Sequence, residues 1–121
     1  TGIYKKVKAF LASHPDTNGI ITLGPNSADP TIKYLRDTGS RSKFKSVISF
    51  DLDADISKAI KDGTMDAAID QQPYLQGYLP IVFLTQYVRY GVMPANNVNT
   101  GPGFVTKKNI ELVEKLAGEY R

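Results

Sequence analysis

The 121 residues contain no cysteine, no tryptophan and a single histidine, and the net charge is only +3. Each scarcity removes a class of function. Without cysteine there is no disulfide framework, no thiolate nucleophile and no cysteine–zinc site. Such a chain suits the periplasm and the cytoplasm equally. His14 lies beside Pro15 and has no second histidine at metal spacing, so it reads as a surface residue. The 15 basic and 12 acidic residues are interspersed. The longest basic cluster, Arg41-Ser42-Lys43-Phe44-Lys45, reads as a solvated turn and not as a nucleic-acid contact. The most apolar stretch, Leu79 to Val88, is too short and too polar at its edges to span a membrane, so no membrane insertion is expected. No GxGxxG or Walker sequence is present. No nucleophile stands beside a base. Asp51, Asp53 and Asp55 alternate, but no glycine and bidentate glutamate follow at calcium-loop spacing, so neither metal nor cofactor is expected. The sequence opens at Thr1 without methionine or leader, from which a processed or truncated product is expected.

What remains is an ordinary globular composition, 41% hydrophobic and 22% charged, on a chain long enough for one small domain with a core. Gly2 to Leu11 predicts a helix with Ile3, Val7, Phe10 and Leu11 on one face. Ile20–Leu23 predicts a buried strand, followed by the loop Gly24-Pro-Asn-Ser-Ala28. Asp29-Pro30 has the chemistry of a helix start, a capping aspartate before a proline. Gly39 is the natural stop of that helix. Ser46–Phe50 predicts a second strand, Asp55–Asp62 a third helix and Met65–Ile69 a third strand. Strands alternating with helices imply right-handed crossovers and a parallel sheet, an α/β fold of the Rossmann-like kind. Tyr74 to Gly91 breaks this rhythm as a longer helix, with a kink or late start expected at Pro80. Val98–Thr106 contains Gly101-Pro-Gly103, so any strand there is irregular or at an edge. Lys108 to Tyr120 predicts a final helix with Ile110, Val113, Leu116 and Ala117 inward.

Ligands of open parallel sheets gather at the carboxyl ends of the strands. Three such ends carry Gly24-Pro25-Asn26-Ser27, Phe50-Asp51 and Asp70-Gln71-Gln72. Carboxylates and amides grip hydroxyls, and an aromatic ring covers an apolar C–H face, a set suited to a polyhydroxylated ligand. Each has a plainer reading. Asn26 and Ser27 also suit a turn before a helix, and a glutamine in a loop is often only solvated. Asp51 also suits a helix start, although Asp53 and Asp55 are better placed for it. Gln71 and Gln72 approach Pro73, which predicts extended backbone at both.

The same strand ends carry a family resemblance. Val47-Ile-Ser-Phe-Asp51 resembles a segment of ribose-type (type I) periplasmic sugar-binding proteins. Ala67-Ala-Ile-Asp-Gln-Gln-Pro73 is similar to the strand that follows it in that family. The approach through His-Pro-Asp and Gly-Ile-Ile is also alike, and the order of elements agrees along nearly the whole chain. The resemblance implies two Rossmann-like lobes joined by crossing strands, with a sugar in the cleft between them. It implies that Asp51 accepts hydrogen bonds from sugar hydroxyls, that Phe50 packs beside the ring, and that Gln71 binds a further hydroxyl near the hinge. The strand-end asparagine of the family falls on Gly24 without a gap, and Asn26 is the nearest asparagine. Residues 1–73 would belong to the C-terminal lobe, 74–97 to the last helix and loop of the N-terminal lobe, and 98–121 to the returning strand and final helix. Most of the first lobe and the opening of the second would be missing. The apolar helix from Tyr74 would then need that lobe, or a second copy of the chain, to cover it.

The expected function is the sugar-binding component of an ABC importer, periplasmic or, in Gram-positive bacteria, lipid-anchored outside the cell. It would deliver to the membrane subunits of the transporter. The alternative is the effector-binding domain of a lactose-repressor-type regulator, which shares the fold. An enzyme is not expected.

Overall fold

A computed structural model of the chain describes residues 2–117 and 119. It is an α/β structure built on one four-stranded sheet. In chain order the elements are α1 (Gly2–Ser13), β1 (Gly19–Thr22), α2 (Pro25–Thr38), β2 (Ser46–Phe50), α3 (Ala54–Asp62), β3 (Ala67–Asp70), α4 (Pro73–Tyr90), β4 (Gly103–Thr106) and the short α5 (Ile110–Val113). The strands lie in the order β1-β2-β3-β4. β1, β2 and β3 pair in parallel, with Ile21 opposite Ile48 and Phe50 opposite Ile69. The three strand ends therefore share one edge, as the alternation of strand and helix predicts. β4 closes the sheet antiparallel to β3, with Asp70 opposite Gly103.

One face of the sheet is covered and the other is bare. Val47, Ser49 and Ala68 are fully buried against Ile32 and Leu35 of α2 and Ile56, Ala59 and Ile60 of α3. Side chains alternate along a strand, so Ile21, Ile48, Phe50, Ile69 and Phe104 point to the opposite face. There Ile21 is 68% and Phe104 65% exposed.

The helices depart from expectation at specific points. α2 starts at Pro25, after Gly24, and Pro30 lies inside it. Two aspartate-or-glycine–proline pairs compete as helix starts here, and the earlier one wins. Pro25 needs no amide hydrogen at the first position, and the Ala28 amide donates to the Gly24 carbonyl at 2.9 Å. Asp29 is thus no cap but an internal helix residue. α1 buries none of its residues. Instead its Phe10 ring stacks on His14 with centroids 4.1 Å apart. α4 begins at Pro73 and runs past Pro80 to Tyr90, so there is no late start, and it too buries no residue. The final helix is short: α5 gives way to a 3-10 turn, Glu114–Leu116. Leu116 is exposed there. Tyr120, expected to end it, lies outside the described residues. The basic cluster forms a 3-10 turn, Ser40–Lys43, in which Arg41 pairs with Asp66 at 2.6 Å.

Candidate functional site

β2 ends at Phe50 because the chain then turns sharply. Asp51 adopts a left-handed backbone, φ 59°, a conformation that aspartate tolerates better than most residues and that costs on the order of 1–3 kcal/mol. The turn is held on both sides. The Asp51 amide donates to the Ile69 carbonyl at 2.9 Å, continuing the β2–β3 ladder. Leu52 is buried, and Asp53 caps α3 by accepting from the Ile56 amide at 2.7 Å. With Leu52 anchored inward and Asp53 engaged, the Asp51 carboxylate is left at the strand end.

β3 ends at Asp70, whose buried carboxylate accepts from the Gln72 amide at 2.9 Å. Gln72 is left-handed, φ 55°, so the extended backbone expected before Pro73 is absent there. Closing the turn onto the Asp70 carboxylate outweighs the preference that proline imposes on its neighbour. Gln71, between them, reaches sideways. Its Nε2 donates to both oxygens of Asp51, at 2.9 and 3.1 Å. Hydrogen bonds to a charged acceptor are the stronger kind. Both side chains are half-buried. A carboxylate offers about four lone-pair sites, so Asp51 keeps acceptor capacity beyond what Gln71 uses, and the Gln71 Oε1 adds another acceptor.

Neither of the other two expected residues is hydrogen-bonded to this pair. Phe50 is half-buried on the bare face of the sheet, in register with Ile69 and, through it, Phe104. That row gives its ring apolar company across the strands. Asn26 is exposed in the first turn of α2. It lines a cavity of about 680 Å³ shared with Tyr4, Asp29 and Asp55, away from Asp51 and Gln71. Burial, then the nearby carboxylates of Asp53 and Asp55, raise the Asp29 carboxyl above its ordinary value. A cavity of about 580 Å³ separates α1 from β1, and one of about 480 Å³ separates α4 from the 93–98 loop. Neither Asp51 nor Gln71 lines any of these three.

Gln72 and two residues outside the expected set, Gln76 and Thr100, hold this edge of the sheet in place. Gln72 Nε2 donates to the Thr100 carbonyl at 2.8 Å. Gln76 Nε2 donates to the Gln71 carbonyl at 3.0 Å and to Thr100 Oγ1 at 3.2 Å. A side chain on Gly101 would place its Cβ 2.9 Å from the Asp70 carbonyl oxygen, so only glycine lets the two crossing segments approach this closely. The glycine in an irregular stretch was the one available signal.

A sheet with a hydrogen-bonded carboxylate–amide pair at its strand ends has the arrangement of an α/β fold that gathers ligands at that edge. Residues 1–91 match the model of the periplasmic binding protein domain, and the chain belongs to that family. Its fold is that of type I periplasmic binding proteins. Among known relatives, the xylose/arabinose-binding protein XylF of Sulfolobus acidocaldarius is 31% identical over 110 residues, 87% of this chain and 27% of the relative. A carbohydrate transporter structure from Acidothermus cellulolyticus in complex with myo-inositol is 33% identical with a TM-score of 0.83. The match covers 95% of this chain and 40% of that one. The structure of a putative LacI transcriptional regulator from Bacteroides fragilis is 28% identical with a TM-score of 0.76, covering 90% of this chain and 37% of that one. The chain thus spans well under half the length of each.

Proposed function

We propose that this chain supplies one wall of a sugar-binding cleft and acts as part of the solute-binding component of an ABC-type importer. The observation that carries this reading is the Asp51–Gln71 pair, two hydroxyl-binding groups from neighbouring strand ends joined at 2.9 Å. The pair is rich in acceptors and holds a negative charge, which favours a neutral polyol over a phosphorylated or acidic sugar. The relatives for xylose or arabinose and for myo-inositol point the same way. One accessible carboxylate binds hydroxyls, whereas glycoside hydrolysis uses two flanking the bond; binding without turnover is the simpler role. The facing wall comes from a first lobe outside residues 1–73. In this arrangement α4 and the loop to residue 97 belong to that lobe, and residues 98–121 return to the second. Phe50 packs beside the sugar ring and Asn26 adds a contact from just past the end of β1. The setting is the periplasm, or the cell exterior under a lipid anchor, and the membrane subunits of the importer receive the sugar. No helix among the described residues is long and apolar enough to cross a membrane.

Calorimetry on the full-length receptor with D-xylose, arabinose and myo-inositol tests this. Asp51→Ala is expected to cost about 1.5–3 kcal/mol of binding and Gln71→Ala about 0.5–1.5, the usual worth of a charged and a neutral hydrogen bond. Wild-type affinity in both variants would remove the pair from the site.

The likeness to the LacI-type regulator supports a second reading, an effector-binding domain. Recovery of the native protein in the osmotic-shock fraction favours the receptor; retention on operator DNA favours the regulator.

A further inference from the structure

We infer that Gln76 is a positioning residue for the Asp51–Gln71 pair, acting through the Gln71 carbonyl and Thr100; the inference rests on the sugar-site reading above. The chain leaves the sheet through residues 70–73 and returns through 98–103, side by side, with Asp70 and Gly103 as their last paired residues. Gln76 stands one turn into α4 and bridges the two. Its Nε2 holds the main-chain carbonyl of Gln71 at 3.0 Å and the hydroxyl of Thr100 at 3.2 Å. Gln72 adds a parallel tie to the Thr100 carbonyl.

The consequence follows from what these ties fix. No α4 side chain is fully buried, and only Leu75, Leu79, Val82 and Phe83 are half-buried, so packing alone leaves its direction loosely set. Polar ties at its first turns set it instead. The Gln71 side chain leaves the chain at the very peptide that Gln76 grips. A tilt of α4 relative to the sheet therefore moves the Gln71 carbonyl, rotates the Gln71 peptide and shifts its amide on the Asp51 carboxylate. Gln72, in a left-handed conformation that glutamine seldom adopts, holds no reserve of favourable backbone geometry to absorb that tilt. Binding at Asp51 and Gln71 is thereby coupled to the angle at which the two crossing segments leave the sheet.

Side-chain NMR of the full-length protein separates this from a merely structural role. Gln76→Leu removes the donor at an exposed helix position and is expected to lower the thermal melt only slightly. It is expected to shift the Gln71 side-chain amide and Asp51 carboxylate signals in the unliganded protein. Gln76→Lys keeps a donor and is expected to restore them. With D-xylose, arabinose or myo-inositol as the probe, Gln76→Leu is expected to bind about 2- to 10-fold more weakly than wild type, the worth of one neutral hydrogen bond. Unmoved Gln71 and Asp51 signals in Gln76→Leu overturn the positioning role whatever the sugars do. Moved signals, restored by lysine, establish it even where no probe sugar binds wild type, a result that would instead count against the sugar-site reading. Moved signals with wild-type affinity for a sugar that binds overturn the coupling to binding.

Discussion

Phe104 and Val105 are neighbours on β4, yet Phe104 is 65% exposed and Val105 only 3%. The difference belongs to the whole sheet. On one face, α2 and α3 press Ile32, Leu35, Ile56 and Ile60 onto Val47 and Ala68. On the other, Ile48, Phe50 and Ile69 are only half-buried and Ile21 and Phe104 are exposed. Parallel sheets in α/β proteins normally carry helices on both faces, because their strands are apolar on both. The bare face is therefore an unfilled half of a doubly covered design. α4 makes the same point, with Ile81, Leu84 and Val88 all exposed.

The sharpest way to break this contrast is to truncate one side chain on each face. Ile60→Ala, in the covered core, is expected to cost about 2–5 kcal/mol. Phe104→Ala, which loses mainly its cross-strand neighbours, is expected to cost under about 1 kcal/mol. Urea unfolding of the 121-residue chain measures both, and equal losses would mean that the second face is packed after all.

Association comes next. Each large apolar side chain left in water forgoes roughly 1.5–3 kcal/mol of burial. Sedimentation of the isolated chain at micromolar concentration is expected to show self-association, reduced by Phe104→Lys or Val88→Lys. A monodisperse monomer of the wild-type chain would contradict it.

A smaller effect separates the starts of two helices. Asp53 caps α3 through its side chain, whereas Gln72 makes no such bond at the start of α4. Asp53→Ala is expected to lower stability by about 1 kcal/mol, visible as an earlier urea midpoint. An unchanged midpoint would place the anchoring of α3 in Leu52 alone.

The smallest effect is a pH dependence inside α2. Burial, together with the carboxylates of Asp53 and Asp55, holds the Asp29 carboxyl above its ordinary value of 3.8, and its Oδ1 is buried without a hydrogen-bond partner. The folded chain then keeps a proton that the unfolded chain releases, so stability falls as pH rises from the ordinary value through the raised one. Asp62 runs the other way. Burial pushes it up, but the Thr64 hydroxyl and amide and the Arg36 guanidinium outweigh this and lower it. Its contribution is present at neutral pH and is lost as pH falls through the lowered value. Asp29→Asn is expected to raise the melting temperature at neutral pH and to leave it unchanged in acid. A gain of equal size at every pH would show that ionisation is not the cause.

The parts of this fold legible in the sequence are those that depend on local pattern. Ile20–Leu23, Val47–Phe50 and Ala67–Ile69 stand out because each short β-rich run is bounded by a helix, and that spacing dictates parallel neighbours. Asp51 and Gln71 were legible as strand-end residues, though their mutual hydrogen bond was not, since it depends on the Asp51 backbone turning left-handed. The start of α2 is not legible, because Asp29-Pro30 has the same local chemistry as the true start at Pro25. Gln76 and Thr100 were invisible for another reason: they meet only because two crossing segments run side by side, 24 residues apart in the chain.

β1 closes one side of the described sheet, and its Gly19–Thr22 backbone has a neighbour only in β2. This edge carries no proline or charge, and Ile21 within it and Leu23 just after it are 68% and 82% exposed, so despite its shortness it offers unpaired backbone to an extended chain of matching apolarity. In the isolated 121-residue chain, the first strand to reach that edge decides between correct assembly and a tangled one, and an inward lysine within Gly19–Thr22 would oppose such pairing.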